Sequence, residues 1–151
     1  MVYTKAMINS VFDSYPLISA LVAMLIAQIL KFFYYLYKEK RINFRYLVQA
    51  GGMPSSHAAM VIALSVAVGL QEGWGSAAFA MAVIFASVVV YDAAGVRRAA
   101  GKQARVLNVI ISDIFDRGTF RGEKLMEFIG HTPIEVIAGI LLGIAVAFFL
   151  Y

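Results

Sequence analysis

Four long apolar stretches alternate with polar or charged segments along the chain. Each approaches the roughly 20 residues that an α-helix needs to cross a bilayer. They run from Leu17 to Tyr37, from Ala58 to Leu70 (full length only with Pro54 to His57), from Ala77 to Ala94 and from Ile134 to Tyr151. The pattern predicts an all-α integral membrane bundle of about four transmembrane helices.

The connecting segments differ in length and character. Only Gln71–Ser76 separates the second and third stretches, which predicts an antiparallel hairpin. The long segment from Val96 to Gly130 contains VLNVIISDIF, whose apolar spacing predicts an amphipathic helix lying against the membrane. Val2 to Ser14 is interpreted as a short interfacial helix. The whole chain, residues 1–151, is predicted to be one domain.

Composition supports the membrane class. Hydrophobic residues make up 62% of the 151 residues and charged residues 15%, against about a quarter charged in soluble domains. Cysteine is absent, so the chain has no disulfide, thiol nucleophile or cysteine metal site. The basic residues are separated by long apolar segments, which argues against a nucleic-acid partner. Membrane lipids are the expected partners.

Positive charge is unevenly distributed among the loops. The segment from Lys38 to Arg45 is basic, residues 97–124 hold seven Arg or Lys, and the Gln71–Ser76 turn holds none. The positive-inside rule predicts that both basic loops are cytoplasmic and both chain ends lie outside, in a plasma (inner) membrane. The polar clusters at the helix ends would then meet at the cytoplasmic face and form a site.

The segment GGMPSSH contains one of only two histidines. Pro54 is predicted in the first helical turn. The N–H groups of Ser55, Ser56 and His57 would then lie at the positive end of a helix, a place that binds phosphate. Both serines also suit helix capping, and a histidine at a helix start is usually structural. Both interpretations stay open.

The second histidine lies in GHTPIEVIAG, again directly before an apolar stretch. Thr132, Pro133 and Glu135 match a cap, a first-turn proline and a capping-box glutamate. Alternatively, Glu135 accepts a hydrogen bond from the His131 ring and fixes its tautomer, which would make His131 a nucleophile or base. The sequence does not choose between these two roles of Glu135.

The third segment, YDAAGVRRAAGKQA, leaves the membrane at the same level. Arg97 and Arg98 suit bidentate phosphate recognition, with charge added by Lys38, Lys102 and Arg45. Asp92 is expected to orient one of the two arginines. The alternative is an ordinary positive-inside flank.

Lys31 lies about one turn inside the membrane boundary. Its side chain could snorkel to the interface. Alternatively it faces the bundle and reaches the same anion, which is the interpretation we prefer.

These residues resemble a known superfamily. PSSH at Pro54–His57 resembles the PSGH motif of the type 2 phosphatidic acid phosphatase superfamily, which includes vanadium-dependent haloperoxidases. His131 with Glu135 is similar to its second histidine and following carboxylate, and Lys38–Arg45 has the spacing of its first motif. From Gln28 to Ile144 the chain looks like a divergent branch of small membrane proteins described as acid phosphatase or haloperoxidase related.

The resemblance implies a phosphatase of lipid phosphates or diphosphates that needs no metal or other cofactor. His131 would attack phosphorus and form a phosphohistidine, Glu135 would orient it, and His57 would protonate the leaving oxygen. The phosphate-binding residues implied or inferred above are Lys31, Lys38, Arg45, Ser55, Ser56, Arg97 and Arg98.

The chain departs from the superfamily pattern at several positions. Ser56 replaces a glycine, Tyr46 replaces a proline, Glu135 replaces an aspartate, and Lys124 and Leu125 stand where a serine–arginine pair is expected. Arg97 or Arg98 is the candidate for supplying the missing guanidinium from another helix.

Two other functions compete with the phosphatase. One is a membrane lipid-binding or scaffold protein whose ancestral site has decayed. The other is a phosphotransferase on a nucleotide-linked lipid precursor, which would need aspartates for two divalent metals, with Asp113 and Asp116 as the nearest pair. Gly139 and Gly143 form a small-xxx-small pair, which predicts either a homodimer or close packing inside one bundle.

Overall fold

Helices account for most of the described chain. The computed structural model describes residues 14–47, 51–115 and 130–151. Its elements are α1 (Tyr15–Glu39), a 3-10 turn (Phe44–Leu47), α2 (Ser56–Glu72), α3 (Ala77–Ala94), α4 (Val96–Phe115) and α5 (Pro133–Leu150). No strand occurs within these ranges, which confirms the all-α prediction. The helix predicted over Val2 to Ser14 lies outside the described residues, except for Ser14 itself.

Within the described residues, three stretches are long and apolar enough to cross a membrane: Tyr15–Glu39, Ala77–Ile111 and Pro133–Leu150. The fourth predicted span, α2, has 17 residues. At 1.5 Å per residue it is about 25 Å long, shorter than the roughly 30 Å of hydrocarbon. It packs against α1, α3 and α5, so α2 is the central helix of the bundle.

Small residues let the helices approach closely around α2. A Cβ at Gly139 would overlap the carbonyl oxygen of Ser55, and one at Gly143 would overlap that of Ala59. The small-xxx-small pair of α5 therefore packs against α2 inside the bundle. α2 already covers the surface that a homodimer through this glycine pair would need. The pair therefore does not support the homodimer, which stays a prediction.

Large apolar side chains point away from this core. Examples are Leu25 on α1, Ile84 on α3 and Leu141 on α5, each more than half exposed. Lipid tails would cover this surface in a bilayer. The outward apolar surface agrees with the predicted membrane location.

The antiparallel order of the helices brings four helix ends together. The Ser55 N–H donates to the carbonyl of Glu135 (2.9 Å), and the His131 N–H donates to the carbonyl of Ala93 (3.1 Å). At the opposite end of the bundle, the Tyr15 and Tyr151 rings lie 5.5 Å apart. The cytoplasmic orientation of the first end remains a prediction.

The amphipathic helix predicted in the long segment is also present. It is α4, which begins at Val96, ten residues before the predicted VLNVIISDIF, and follows α3 after Gly95. Val106 and Ile110 on this helix are exposed. Its predicted position against the membrane surface is untested.

Candidate active site

The start of α5 is built by a complete capping box. The Thr132 hydroxyl accepts from the Glu135 N–H (3.4 Å), and Oε2 of Glu135 accepts from the Thr132 N–H (2.9 Å). The same Oε2 lies 3.3 Å from Nδ1 of His131. One carboxylate oxygen thus contacts both the helix cap and the histidine ring, so the contact with the cap and the contact with His131 occur together.

His131 is buried, with 3% of its surface exposed. Burial lowers the pKa of His131 below 6.5, Glu135 partly offsets this, and the positive charges of Lys31 and His57 lower it further. The ring is therefore neutral near pH 7. In the tautomer whose Nδ1–H donates a hydrogen bond to Glu135, Nε2 carries the lone pair that a nucleophile needs.

The start of α2 differs from its prediction. The helix begins at Ser56 with Ser55 as its cap, so Pro54 lies before the cap and its predicted place in the first turn is wrong. A first-turn Pro54 would have made Met53 the cap, and a thioether is a poor acceptor compared with a serine hydroxyl. The Ser55 hydroxyl accepts from the Ala58 N–H (3.4 Å).

Ser55 also connects α2 to α5. Its N–H donates to the Glu135 carbonyl, so the expectation that this N–H faces a phosphate is wrong. Ser55 and Ser56 are both buried. The N–H groups of Ser56 and His57 lie in the first turn of α2, where the helix dipole favours an anion.

Lys31 faces the bundle interior. Only 1% of its surface is exposed, so the snorkelling alternative is wrong. Its charge interacts with that of Glu135 and acts on the His131 ring, as does the charge of His57. Lys31 and His131 are buried, and His57 and Glu135 are half-buried beside them. We call these four residues the buried cluster.

A cavity of about 430 Å³ opens beside this cluster. We call it the outer cavity. Glu135 and Thr132 form part of its wall, and Tyr35, Lys38, Glu39 and Tyr46 line it together with three glycines of the neighbouring loops. Lys38 therefore lies at the outer cavity, whereas Lys31 lies in the buried cluster. Glu135 belongs to both.

The remaining predicted site residues are placed by their backbone. Asp92 lies in the last turn of α3, next to Ala93, whose carbonyl binds the His131 N–H. Arg97 and Arg98 lie in the first turn of α4, and Arg45 lies in the 3-10 turn. The side chains of these three arginines are outside the described part of the structure. So are Lys124, Leu125 and Asp116, and the side chain of Asp113.

No group of three histidine, cysteine, aspartate or glutamate residues within the described ranges is arranged to hold a metal ion. Tyr35, Glu39 and Tyr46 also line the outer cavity and were not among the site residues predicted from the sequence. The spacing along α1 could have indicated two of these residues, Tyr35 and Glu39. Lys31, Tyr35 and Glu39 follow one another at intervals of four residues, which places them on one face of α1.

Comparison with known proteins shows the family of this chain. The sequence pattern of the group described as "Divergent PAP2 family" matches residues 12–146. The uncharacterized membrane protein YuiD of Bacillus subtilis is 38% identical over 90% of this chain and 96% of its own length. No solved structure matches the chain. This integral membrane protein therefore belongs to the Divergent PAP2 family.

Proposed function

We propose that the protein is a metal-independent phosphatase that removes phosphate from a membrane lipid phosphate or diphosphate through a phosphohistidine at His131. The observation that carries the proposal is the buried cluster. A neutral His131 ring lies 3.3 Å from the Glu135 carboxylate, with Lys31 and His57 acting on the same ring. Membership in a family named after such phosphatases supports the same reaction.

In the first step, Nε2 of His131 attacks phosphorus and the bond from phosphorus to the lipid oxygen breaks. Glu135 holds the Nδ1 proton and stabilises the positive charge that develops on the ring. His57 gives a proton to the departing lipid oxygen, so the alcohol leaves neutral. A monophosphate substrate releases the lipid alcohol. A diphosphate substrate is cleaved at the bridging oxygen and releases the lipid monophosphate. In both cases the phosphoryl group stays on His131.

In the second step, water attacks the phosphoryl group. His57, now without its proton, takes one from this water as it attacks. The bond from nitrogen to phosphorus breaks, phosphate is released, and His131 and His57 return to their starting states.

Phosphate binding would use positive groups around the cluster. Lys31 and the first-turn N–H groups of Ser56 and His57 are the nearest candidates. Lys38, Arg45, Arg97 and Arg98 would add charge from the outer cavity and the loops, with Asp92 orienting an arginine. We place the site at the cytoplasmic face of the inner membrane, because the charged loops at this end are basic.

A substrate panel tests the proposal. Purified protein in detergent is assayed with a lipid monophosphate, a lipid diphosphate and an aryl phosphate, each with and without a chelator of divalent metals. We expect phosphate release that the chelator does not reduce. A His131→Gln variant purified in the same way is the control for contaminating phosphatases.

The alternatives give different results in the same assay. Absence of release from every substrate would favour the lipid-binding or scaffold function with a decayed site. Release that requires a divalent metal would contradict the histidine mechanism.

A further inference from the structure

A groove of about 160 Å³ lies where α2, α3 and α5 meet. We call it the lateral groove. Its lining includes Ile62 and Ser65 of α2, Val83, Ser87 and Val90 of α3, and Ile140 of α5. Val83 is 38% exposed and Ser87 is also exposed, so the groove is open on its outer side. In a membrane this side faces the hydrocarbon of the bilayer.

The groove is open because α3 contacts the bundle along one narrow stripe. This helix buries only Ala86 and Ala93, which are two turns apart. Val83, Ser87 and Val90 follow one another at intervals of four and three residues, which places them on one face beside that stripe. These three side chains border the lateral groove without filling it.

The lateral groove offers an apolar surface. Among the described residues that line it, none is charged. The Ser65 hydroxyl lies within hydrogen-bond distance of the carbonyls of Val61 (2.8 Å) and Ala82 (3.0 Å), and the Ser87 hydroxyl donates to the carbonyl of Val83 (2.8 Å). Both hydroxyl groups are thus already bonded to the backbone. A hydrocarbon chain suits such a groove better than a polar ligand does.

Two of the helices lead from the buried cluster directly into the groove. Ile62 lies five residues after His57 on α2, and Ile140 lies five residues after Glu135 on α5. At 1.5 Å per residue, each interval is about 7.5 Å along the helix axis. The groove therefore begins less than two helical turns from the cluster.

The third helix provides a closer connection. Val90 lies one turn before Ala93, and it packs with Ile140 against an apolar cluster that includes Ala93. The carbonyl of Ala93 accepts from the His131 N–H (3.1 Å). The end of the groove at Val90 is thus one turn of α3 from the backbone group that holds His131.

We propose that the lateral groove binds the hydrocarbon chain of the lipid phosphate while the phosphate lies at the buried cluster. From Val90 to Val83 the groove extends for about 10 Å along α3, so a long chain contacts all of it and a short chain ends before Val83. The substrate class is then a long-chain lipid phosphate. This inference rests on the proposed function for its kinetic readout only, because the position of a bound chain can be measured without turnover.

The test compares Val83→Phe with Val88→Phe. Both replace an exposed valine of α3 with a larger apolar side chain, but Val83 lines the lateral groove and Val88 lies on another face of the helix. Ser87→Leu fills the groove at a second exposed position and takes the place of Val83→Phe if that variant does not fold. Gel filtration in detergent and thermal unfolding check the fold of each variant.

Photolabelling locates the chain. The protein in phosphatidylcholine vesicles is irradiated with a long-chain alkylphosphonate that carries a diazirine on its chain, and the labelled residues are identified by mass spectrometry. A phosphonate has no ester bond to the chain, so the probe is not hydrolysed. An excess of the same alkylphosphonate without diazirine is one competitor, and the alcohol of equal chain length is the other.

We expect label on the groove residues of α3 and α5 that the alkylphosphonate removes and the alcohol does not. Val83→Phe and Ser87→Leu should lower this label several-fold, and Val88→Phe should leave it unchanged. Label that both competitors remove equally, or that is as strong around Val88 as in the groove, would indicate ordinary contact with the bilayer and would overturn the proposal.

Turnover provides a second readout. In Val83→Phe, kcat/KM for a long-chain lipid phosphate should fall several-fold, whereas Val88→Phe should match the wild type. A soluble short-chain phosphate ester should be hydrolysed equally by all three proteins. An equal loss on both esters in Val83→Phe would indicate damage to the buried cluster and would contradict the role of the groove.

The two proposals fail separately. If the wild type releases no phosphate but the phosphonate-sensitive label lies in the lateral groove, the proposed function fails and the chain site stands. If the wild type releases phosphate but the label is insensitive to the phosphonate, the chain site fails and the phosphatase function stands.

Discussion

The α2 and α5 helices begin with the same three kinds of residue in a different order. At α5, His131 precedes the cap Thr132, and Pro133 follows it in the first turn. At α2, Pro54 precedes the cap Ser55, and the histidine lies inside the first turn at position 57. A histidine before the cap can share the carboxylate of the capping box, as His131 does.

A histidine inside the first turn has different neighbours. His57 is only half-buried and lies among the N–H groups at the positive end of α2. Such an end attracts an anion and can place a proton donor beside it. This difference agrees with the proposed roles of His131 as nucleophile and His57 as general acid, and the following variants test those roles.

Exchange of each histidine for alanine should have the largest effects. We expect His131→Ala to abolish turnover of lipid and aryl phosphates alike, because no phosphoenzyme can form. His57→Ala should slow phosphoenzyme formation from a lipid phosphate by on the order of a hundredfold but spare much of its formation from an aryl phosphate, because a phenolate leaves without a proton. Rapid quenching measures this step apart from the hydrolysis of the phosphohistidine, which the loss of His57 should slow for both substrates. Equal losses of phosphoenzyme formation from both substrates would instead indicate that His57 holds the phosphate.

Glu135→Gln should have a smaller effect. The glutamine oxygen can still accept the Thr132 N–H, so the cap is kept while the negative charge is lost. Since Glu135 raises the pKa of His131, its loss should lower that pKa and weaken the nucleophile, with a fall in kcat on the order of tenfold. Steady-state turnover measures the effect, and wild-type kcat in this variant would refute the orienting role.

Lys31→Met tests the electrostatics of the buried cluster. The Lys31 charge lowers the pKa of His131, so its removal should raise that pKa, as measured by ring titration. In the wild type, unfolded His131 takes up a proton near pH 6.5 and folded His131 only at lower pH. The free energy of unfolding should therefore fall as the pH drops below about 6.5, and fall less steeply in Lys31→Met. An unchanged midpoint of the His131 titration in Lys31→Met would show that the Lys31 charge does not act on the His131 ring.

The two caps should give the smallest effects. Thr132→Ala and Ser55→Ala each remove a hydroxyl that accepts from the first turn of a helix. Each should lower the free energy of unfolding by about 1 kcal/mol, measured by thermal unfolding in detergent, with kcat changed less than a few-fold. A much larger loss of kcat in Ser55→Ala than in Thr132→Ala would instead support the predicted contact between Ser55 and phosphate.

The sequence predicts the features of this fold that depend on local patterns. Apolar length locates the helices, and the Thr132–Glu135 box locates the start of α5 because its partners are three residues apart. The predicted start of α2 was wrong because two local preferences compete there. Proline favours the first turn, and serine favours the cap. Only the tertiary contact between Ser55 and the Glu135 carbonyl shows the outcome.

The candidate site is only partly predictable for the same reason. The two histidines and Glu135 stand out because the chain has only two histidines and each lies at the start of an apolar stretch. The Lys31 side chain faces the interior, as the sequence analysis preferred. The position of the Tyr35 ring, in contrast, depends on contacts with Gly52 and Tyr46, which belong to other segments of the chain. No local pattern reports such an approach.

The most direct test of the central claim is to trap the phosphoenzyme. The protein is mixed with a radiolabelled phosphate monoester, quenched in alkali and digested, and the labelled peptide is identified. A phosphohistidine resists alkali and is lost in acid, so the account predicts an alkali-stable, acid-labile label on the peptide that contains His131. The label should be absent from His131→Ala. Turnover without any alkali-stable label, or a label on the peptide that contains His57, would contradict the account.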